Sequence, residues 1–353
     1  MLKKTLLAAS LMAMSMGASA QLAGKNVVLV HGFQPGTLGD APANNAAVRA
    51  NGADYWSAYW ADRAEARIDW DSTERVEGEI MAFAYEQLVD ISQSGLCAQG
   101  CIFVTHSTGD LVARYLLENK DRWLAADGHA PVNVLSVIDY AGAGGGTELA
   151  DIALQVAHND SIAMWPMKAA VEAVMGVEIT PTNLGVLTDL QPVNARNLAT
   201  ANNAIPRLRF VGGGTEYAGV SKPFIKGSDD SVVPMHSACG AISAGAYDSC
   251  VSNRQTDGKV TSVSAPSSLR YNHYPVLMGE SINHSETINN ASGNEMTYAM
   301  NGFSVDGLNV DFATETKYKR AWYQWWGRGD KYKLVVGAKN NSMSGLTYNT
   351  LNQ

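Results

Sequence analysis

One short stretch constrains the fold of this chain most: CIFVTHSTGDLVARYLLEN, from Cys101 to Asn119. It begins with an apolar, β-prone run, Ile102 to Val104. It ends in LVARYLLEN, where apolar residues recur with helical spacing. Between the two lies Thr-His-Ser-Thr-Gly, with Ser107 at the corner. The stretch therefore predicts a strand, a tight turn carrying a serine, and a helix.

A serine in such a turn can be a nucleophile. The turn pushes the hydroxyl out of the sheet, towards a histidine that removes the proton and backbone amides that hold the oxyanion. Residues two before and two after the serine must be small, so the usual pattern is Gly-x-Ser-x-Gly. Gly109 keeps the second position, while Thr105 replaces the first glycine. The alternative is that Ser107 only caps a helix.

With Leu-Val-Ala-Arg-Tyr after His106-Ser107-Thr108-Gly109, the stretch resembles the nucleophile turn of the α/β-hydrolase superfamily, and most of all its bacterial lipases. The resemblance implies an α/β fold with a mainly parallel central sheet flanked by helices. It also implies a helical cap insertion and leaves a β-rich extension at the C-terminal end.

The segment KNVVLVHGFQPG contains four successive apolar residues, Val27 to Val30, followed by His31-Gly32. Such a run is typical of a strand covered on both faces. In the lipases that the chain resembles, the turn after this strand gives one amide to the oxyanion hole. Carried over, the donors are the amides of Phe33 and Thr108. The alternative for His31-Gly32 is an ordinary strand-ending turn.

The candidate acid lies in GSDDSVVPMHSACG. A triad needs a carboxylate that orients the histidine and stabilises its charged form. In similar lipases the acid precedes a valine, often Val-Pro, by three residues. Asp230 fits that spacing and is the first choice, and Asp229 is the alternative. The segment could instead be an Asp-rich turn without a catalytic role.

Seven histidines compete for the general base, and their order along the chain leaves His273 and His284. A predicted strand, PVLMG, precedes His284, and residues 286–300 are predicted to form a helix after it. NHSETINN resembles the region around the catalytic histidine of secreted Pseudomonas-type lipases, which favours His284 over His273. The order Ser107, Asp230, His284 is the one the superfamily uses.

The resemblance implies no organic cofactor. Secreted Pseudomonas-type lipases also hold a structural calcium ion between carboxylates near the histidine loop. Glu286 has a comparable place, where an aspartate would be expected, but no matching second aspartate lies upstream of Asp230. The sequence therefore leaves calcium unsupported and the metal content unknown.

Residues 1–20 read as a secretory signal peptide. Lys3 and Lys4 precede an apolar run, and Ala18-Ser19-Ala20 provides a small-residue cleavage site. We therefore expect a soluble protein that is secreted or periplasmic, with no transmembrane anchor. The formal net charge is −8, and −10 without the two leader lysines. An acidic chain without a basic cluster is a poor nucleic-acid binder, so the expected partner is a lipid or small ester. A lipid–water interface is one place where the chain could meet such a substrate.

Four cysteines in an exported chain suggest disulfides, and sequence proximity favours two pairs. These are Cys97 with Cys101 and Cys239 with Cys250. No CxxC pair with a partner pair is present, which argues against a structural zinc site.

The predicted domains are a catalytic domain at 21–300, with a cap at about 148–200, and an extension at 301–353. Within the first, residues 53–60 are predicted to form a strand, and a helix is predicted from Asp71 to Ser92. The extension is predicted to form β-hairpins. Its aromatic cluster could pack a small core or grip a polymer or lipid interface, and packing is favoured. The cluster consists of Trp322, Tyr323, Trp325 and Trp326.

Three motifs in the expected order predict an exported serine hydrolase, a lipase or carboxylesterase that works through an acyl-enzyme. The same triad could serve a phospholipase, an acyltransferase or a polyester depolymerase. Outside enzymes, the chain could be an inactive hydrolase-like binding protein.

Overall fold

The computed structural model describes residues 21–159, 161–198, 204–247, 273–299, 302–320, 322–323 and 325–353, with the backbone alone at 273–277, 319 and 330. The predicted signal peptide, residues 1–20, lies outside this range and stays a prediction.

Strands and helices alternate through most of the described chain. The strands are β1 (Asn26–Val30), β2 (Ala66–Ile68), β3 (Cys101–His106), β4 (Val134–Tyr140), β5 (Arg207–Gly212), β6 (His273–Gly279), β7 (Thr297–Tyr298), β8 (Phe303–Val305), β9 (Leu308–Val310), β10 (Thr314–Lys319) and β11 (Asp330–Val335). The α-helices are α1 (Asn45–Tyr55), α2 (Met81–Ser94), α3 (Gly109–Ala126), α4 (Glu148–Ala157), α5 (Trp165–Met175), α6 (Pro192–Leu198), α7 (Met235–Ala238) and α8 (Met343–Leu351).

Among the described residues, nine strands form one sheet in the order β10-β11-β7-β6-β5-β4-β3-β1-β2. The six strands from β2 to β6 in this order pair in parallel, and β7, β11 and β10 add antiparallel pairs at one end. The chain moves outward from β1 to β2 and then returns past β1 to β3. The carboxyl ends of β1 and β3 therefore border the point where strand order reverses, which is where open α/β sheets bind ligands.

The sheet separates two apolar cores. Successive side chains of a strand point to opposite faces, so Val28 and Val30 of β1 join the core that contains α2 and α3. Val27 and Leu29 join the other core, with Trp60 and α8. All four side chains of the run are fully buried. The apolar run in the sequence thus reflects a strand covered on both faces.

This arrangement confirms the predicted α/β-hydrolase fold, a mainly parallel sheet with helices on both faces. Helices α4, α5 and α6 lie between β4 and β5, within the region predicted as a cap. The C-terminal hairpins are also confirmed, as β8–β9 and β10–β11. Asp306 and Gly307 turn the first of them with φ of 43° and 89°, as a two-residue hairpin turn requires.

Four local predictions are wrong. Residues 53–60 do not form a strand, because α1 runs through Tyr55 and turns follow it. The helix expected from Asp71 is α2, which begins at Met81 after an irregular turn containing Gly78. The helix expected at 286–300 is reduced to one turn, Ser285–Thr287, and the short strand β7. The four aromatic side chains of the cluster, Trp322, Tyr323, Trp325 and Trp326, are exposed and do not pack a core.

The disulfide predicted between Cys97 and Cys101 is present. It joins the turn after α2 to the first residue of β3. Cys239 is buried and forms no disulfide within the described part of the chain. Its predicted partner, Cys250, lies outside the described residues, so that pairing stays a prediction.

Candidate active site

Ser107 lies in a strained turn between β3 and α3. Its φ of +55° is in the left-handed region, which costs a residue other than glycine about 1–3 kcal/mol. The Ser107 N–H donates to the Tyr140 carbonyl at 3.0 Å, and the Ser107 carbonyl accepts from the Ala143 N–H at 2.8 Å. Both partners belong to the end of β4 or the turn after it. The neighbouring strand therefore helps to hold the serine backbone in its strained conformation.

Gly109 allows α3 to begin against β1. A Cβ at position 109 would lie 2.2 Å from the Val30 carbonyl oxygen and 2.5 Å from that of His31. Gly32 is equally confined, since a Cβ there would lie 2.7 Å from the Cβ of Ser107. The turn after β1 and the turn after β3 are thus in direct contact, and both need a glycine.

Gly109→Ala is expected to lower the free energy of unfolding by about 3 kcal/mol, because the new methyl group would overlap backbone atoms that cannot rotate away. Urea denaturation would measure the loss. Gly36→Ala is the control: a Cβ there has no described atom within 4 Å, so its effect should stay within about 0.5 kcal/mol. Equal midpoints for the two variants would contradict the close approach of α3 to β1.

Thr105, which departs from the usual glycine, has a structural partner. It is buried, and its hydroxyl donates to Asp139 Oδ1 at 2.9 Å. Asp139 Oδ2 accepts from Arg209 at 2.7 Å. Burial, aided by the negative charge of Asp110, raises the pKa of Asp139 to about 7. The threonine therefore supplies a hydrogen bond to a buried carboxyl group, which a glycine could not do.

Asp230 and His284 are hydrogen-bonded. Asp230 Oδ2 lies 2.8 Å from His284 Nδ1, and both side chains are buried. The other carboxylate oxygen, Oδ1, accepts from the backbone N–H groups of Val232 at 3.0 Å and Val233 at 2.7 Å. These bonds orient the carboxylate towards Nδ1 of His284. The other ring nitrogen, Nε2, takes no part in the hydrogen bond to Asp230.

The pKa of His284 reflects two opposing effects. Burial lowers it, but the charge of Asp230, the hydrogen bond to Asp230 and the charge of Glu216 together raise the pKa above its ordinary value of 6.5. The surroundings of the ring thus favour its protonated form. This is the property expected of a histidine that must accept a proton during a reaction.

Asp229 and His273, the alternatives to Asp230 and His284, have different surroundings. Asp229 Oδ1 accepts from the Ser231 N–H at 2.7 Å and lies 3.5 Å from Lys222 Nζ, so this carboxylate belongs to the turn itself. His273 is the first residue of β6. β6 runs in the same direction as β3, so the backbone of His273 lies at the amino ends of the strands. Ser107, in contrast, follows the carboxyl end of β3.

Phe33 and Thr108 border the same cavity as Ser107. Within the described residues, neither backbone N–H donates a hydrogen bond. Thr108 also directly precedes α3, where the positive end of the helix dipole lies. Two unpaired amides beside a serine can stabilise the oxyanion of a tetrahedral intermediate.

Ser107 and His284 line one cavity of about 340 Å³ at the carboxyl ends of the parallel strands. This size is within the usual range of small-molecule sites, roughly 300–1,000 Å³. Much of the wall is apolar and comes from the region predicted as a cap. The side chains concerned include Leu149, Val174, Met175, Leu187 and Leu190.

No protein-family model matches the sequence, and no curated protein matches it either. Solved structures do match. A lipase of Bacillus licheniformis in its mature form is 16% identical with a TM-score of 0.41, and the match covers 61% of this chain and 79% of that one. For the propeptide form of that lipase, the match covers 43% of its length.

Two further matches have similar values. Lipase 1 of Pelosinus fermentans is 14% identical with a TM-score of 0.43, over 76% of this chain and 94% of that one. A metagenomic carboxyl esterase is 16% identical with a TM-score of 0.36, and the chain spans 59% of its length. These neighbours are lipases and an esterase, as the resemblance in the sequence predicts. At such low identities and TM-scores they assign no function to this chain.

His106 links the nucleophile turn to the backbone of His284. Its Nδ1 is hydrogen-bonded to the Tyr55 hydroxyl, and its Nε2 lies 3.2 Å from the His284 carbonyl oxygen. Because a carbonyl can only accept, Nε2 carries the proton and Nδ1 accepts from the tyrosine. Burial and the nearby charge of His284 lower the pKa of His106 well below 6.5, so the ring is neutral. Sequence reasoning assigned His106 only to the turn.

Tyr55→Phe is expected to lower kcat roughly tenfold with little change in KM. The buried Nδ1 of His106 would lose its hydrogen-bond donor, and His106 would then hold the His284 carbonyl less firmly. Steady-state kinetics on a soluble ester would measure this. Tyr59→Phe, whose ring packs against Tyr348, is the control and should match wild type. A Tyr55→Phe enzyme with unchanged kcat would contradict the positioning role.

Glu216 is a second residue that sequence reasoning missed. Its carboxylate accepts from the Ser285 hydroxyl at 2.6 Å and from the Ser285 N–H at 3.2 Å. It thereby ties the residue after His284 to the loop after β5. No motif marks Glu216 in the sequence, because its role depends on two loops that meet only in the folded chain.

Glu286 takes part in a local capping arrangement. Its Oε2 accepts from the Asn283 N–H at 3.0 Å, and Asn283 Oδ1 accepts from the Glu286 N–H at 3.0 Å. Across the described residues, no group of three or more His, Cys, Asp or Glu side chains is placed to hold a metal ion. None of the described helices has both the length and the apolar character needed to cross a bilayer.

Proposed function

We propose that this chain is an exported serine hydrolase that cleaves carboxylic esters with Ser107, His284 and Asp230. One observation carries the proposal: His284, which is hydrogen-bonded to the buried Asp230, lines the same cavity as Ser107, whose backbone is left-handed. A nucleophile, a base and an orienting carboxylate are the parts that acyl transfer by a serine requires.

In the proposed reaction, Ser107 Oγ attacks the ester carbonyl carbon while His284 Nε2 takes the hydroxyl proton. Asp230 holds the Nδ1–H and stabilises the positive ring. The amides of Phe33 and Thr108 stabilise the oxyanion. Nε2 then returns the proton to the leaving alcohol, and the acyl group stays on Ser107. Water, deprotonated by His284, releases the acid and restores the serine.

The apolar cavity wall favours an acyl chain as the bound part of the substrate, and hence a lipase or carboxylesterase. We assign this activity to residues 21–300, with residues 148–200 as a cap over the acyl pocket, residues 301–353 as an extension, and residues 1–20 as the signal peptide. A phospholipase, an acyltransferase or a polyester depolymerase would use the same chemistry at the serine.

The direct test is hydrolysis of p-nitrophenyl esters from acetate to palmitate by the purified chain. We expect turnover, with the preferred acyl length set by the cavity. A preference for short esters would favour an esterase. Activity on long, emulsified esters would favour a lipase. A folded chain that is inactive on the whole series would contradict ester hydrolysis and favour the inactive binding protein.

The pH dependence follows from the raised pKa of His284. The base must be neutral, so kcat/KM should fall as the pH drops through that pKa, with a midpoint above 6.5. Glu216→Gln removes one charge that raises the pKa and should move the midpoint to lower pH. Glu178→Gln, which alters an exposed carboxylate paired with Lys168, should not. A wild-type midpoint below 6.5, or no shift in Glu216→Gln, would contradict this assignment.

A further inference from the structure

The loop that joins β10 to β11 presents four aromatic side chains to solvent. The exposed fractions are 95% for Trp322, 62% for Tyr323, 84% for Trp325 and 81% for Trp326. Soluble chains rarely expose several large aromatics within five residues unless they bind something. The four residues are named here the aromatic tip.

The strands beside the aromatic tip are basic, in a chain whose formal net charge is −8. Between Lys317 and Lys333 the sequence contains six lysines and arginines and one acidic residue. Lys317, Arg320, Arg328 and Lys331 are exposed. The expectation that the chain lacks a basic cluster is therefore wrong for this hairpin, since the charge of the whole chain conceals it.

Indole and phenol rings next to lysine and arginine are the combination that binds the surface of an anionic bilayer. Trp and Tyr favour the headgroup region because their rings are apolar but carry a polar N–H or O–H. Each nearby cation adds electrostatic attraction to anionic lipids. We propose that the β10–β11 hairpin is a docking surface for an anionic phospholipid bilayer.

The composition of the tip favours a bilayer over a protein partner. Residues 320–329, RAWYQWWGRG, contain one alanine and no larger aliphatic side chain. A protein interface of high affinity would need a close-packed apolar centre. Rings at the edge of a headgroup layer need no such packing, because the lipids rearrange around them.

The strand directions separate this surface from the catalytic cavity. β11 pairs antiparallel with β7, and β7 antiparallel with β6, so β11 runs in the same direction as β3. The aromatic tip precedes β11, whereas Ser107 follows β3. The tip and the serine therefore lie at opposite ends of their strands. The hairpin acts as a tether that retains the protein at a bilayer, and it should not affect turnover of a soluble ester.

Vesicle co-sedimentation of the Ser107→Ala chain tests the proposal without hydrolysis of the lipids. Vesicles of phosphatidylcholine with phosphatidylglycerol should sediment the protein, and vesicles of phosphatidylcholine alone should do so far less. Trp325→Ala with Trp326→Ala should weaken binding roughly tenfold per indole. Arg320→Gln with Arg328→Gln should weaken it roughly fivefold per charge. Added salt should weaken it further.

Trp165→Ala is the matched control. Trp165 is also exposed but begins α5, far along the chain from the hairpin. This variant should bind vesicles like the parent chain. In the catalytically intact chain, the hairpin variants should hydrolyse p-nitrophenyl acetate at the parent rate. Failure of the proposed hydrolysis would thus be seen separately from failure of vesicle binding.

Two results would overturn the proposal: the chain fails to bind anionic vesicles, or both hairpin double variants bind them as tightly as the parent. If the parent ignores vesicles but binds double-stranded DNA, and the hairpin variants lose that binding, the surface is a nucleic-acid site. Circular dichroism would check folding, and the arginine variants keep the test valid if the tryptophan variants fail to fold.

Discussion

Ser107→Ala is expected to lower kcat on p-nitrophenyl butyrate by roughly 10⁴–10⁶-fold. The alanine methyl group cannot attack the carbonyl. A water molecule that attacked instead would not be aligned as the serine hydroxyl is, and it would form no covalent acyl-enzyme. Substrate binding should change little, since most of the cavity wall is made of other side chains. The residual rate would come from the amides of Phe33 and Thr108 and from binding alone.

Ser285→Ala provides a control for that loss. Ser285 also lines the cavity and also carries a hydroxyl, which donates to Glu216. Its variant should retain turnover within about an order of magnitude, since it only indirectly supports His284. If Ser107→Ala kept more than a tenth of the parent kcat, or lost no more than Ser285→Ala, another residue would be the nucleophile.

Asp230→Asn is expected to reduce kcat by about 10⁴-fold, as the orienting carboxylate of a triad does in other serine hydrolases. The amide removes the charge that stabilises the positive His284 ring and can turn its NH₂ group towards Nδ1, which favours the wrong tautomer. The reduction should affect kcat rather than KM.

Asp229→Asn is the matched control, one residue earlier in the same turn. Its carboxylate accepts from Ser231 and lies near Lys222, so the variant should lose some stability and less than tenfold in kcat. His284→Ala beside His273→Ala makes the same comparison for the base. A larger loss in Asp229→Asn than in Asp230→Asn would reverse the assignment of the acid.

The parts of the proposed site that the sequence indicated are those that depend on short-range geometry. Ser107 and Gly109 belong to one strand–turn–helix unit, whose glycine is explained by the approach of α3 to β1. Asp230 was chosen by its spacing to the valine and proline that follow it. Val232 and Val233 do anchor its carboxylate through their backbone amides. Local patterns carry information where one turn fixes the relevant atoms.

Contacts between distant segments could not be read from the sequence. His106 meets Tyr55 and the His284 carbonyl only after three separate segments have folded together. Thr105 departs from the usual glycine, and the reason, its hydrogen bond to Asp139, lies on the neighbouring strand. A one-dimensional pattern has no information about which side chain of β4 lies opposite a residue of β3.

The predicted strand at residues 53–60 failed because aromatic residues have high strand propensity. The competing signal was further upstream, where the Asn44 side chain accepts from the Ala47 N–H and starts α1. The prediction that the aromatic tip packs a small core failed for a different reason. Packing is the usual fate of tryptophan, but Trp322, Trp325 and Trp326 are exposed between β10 and β11.

The most direct test of the central claim is labelling of the folded chain with a fluorophosphonate, followed by mass spectrometry of its peptides. Such a probe reacts covalently with a serine that a neighbouring base activates. We expect one adduct, on Ser107, which is lost in His284→Ala and kept in His273→Ala. A folded wild-type chain that takes up no label, or takes it up at another serine, would contradict the proposed triad.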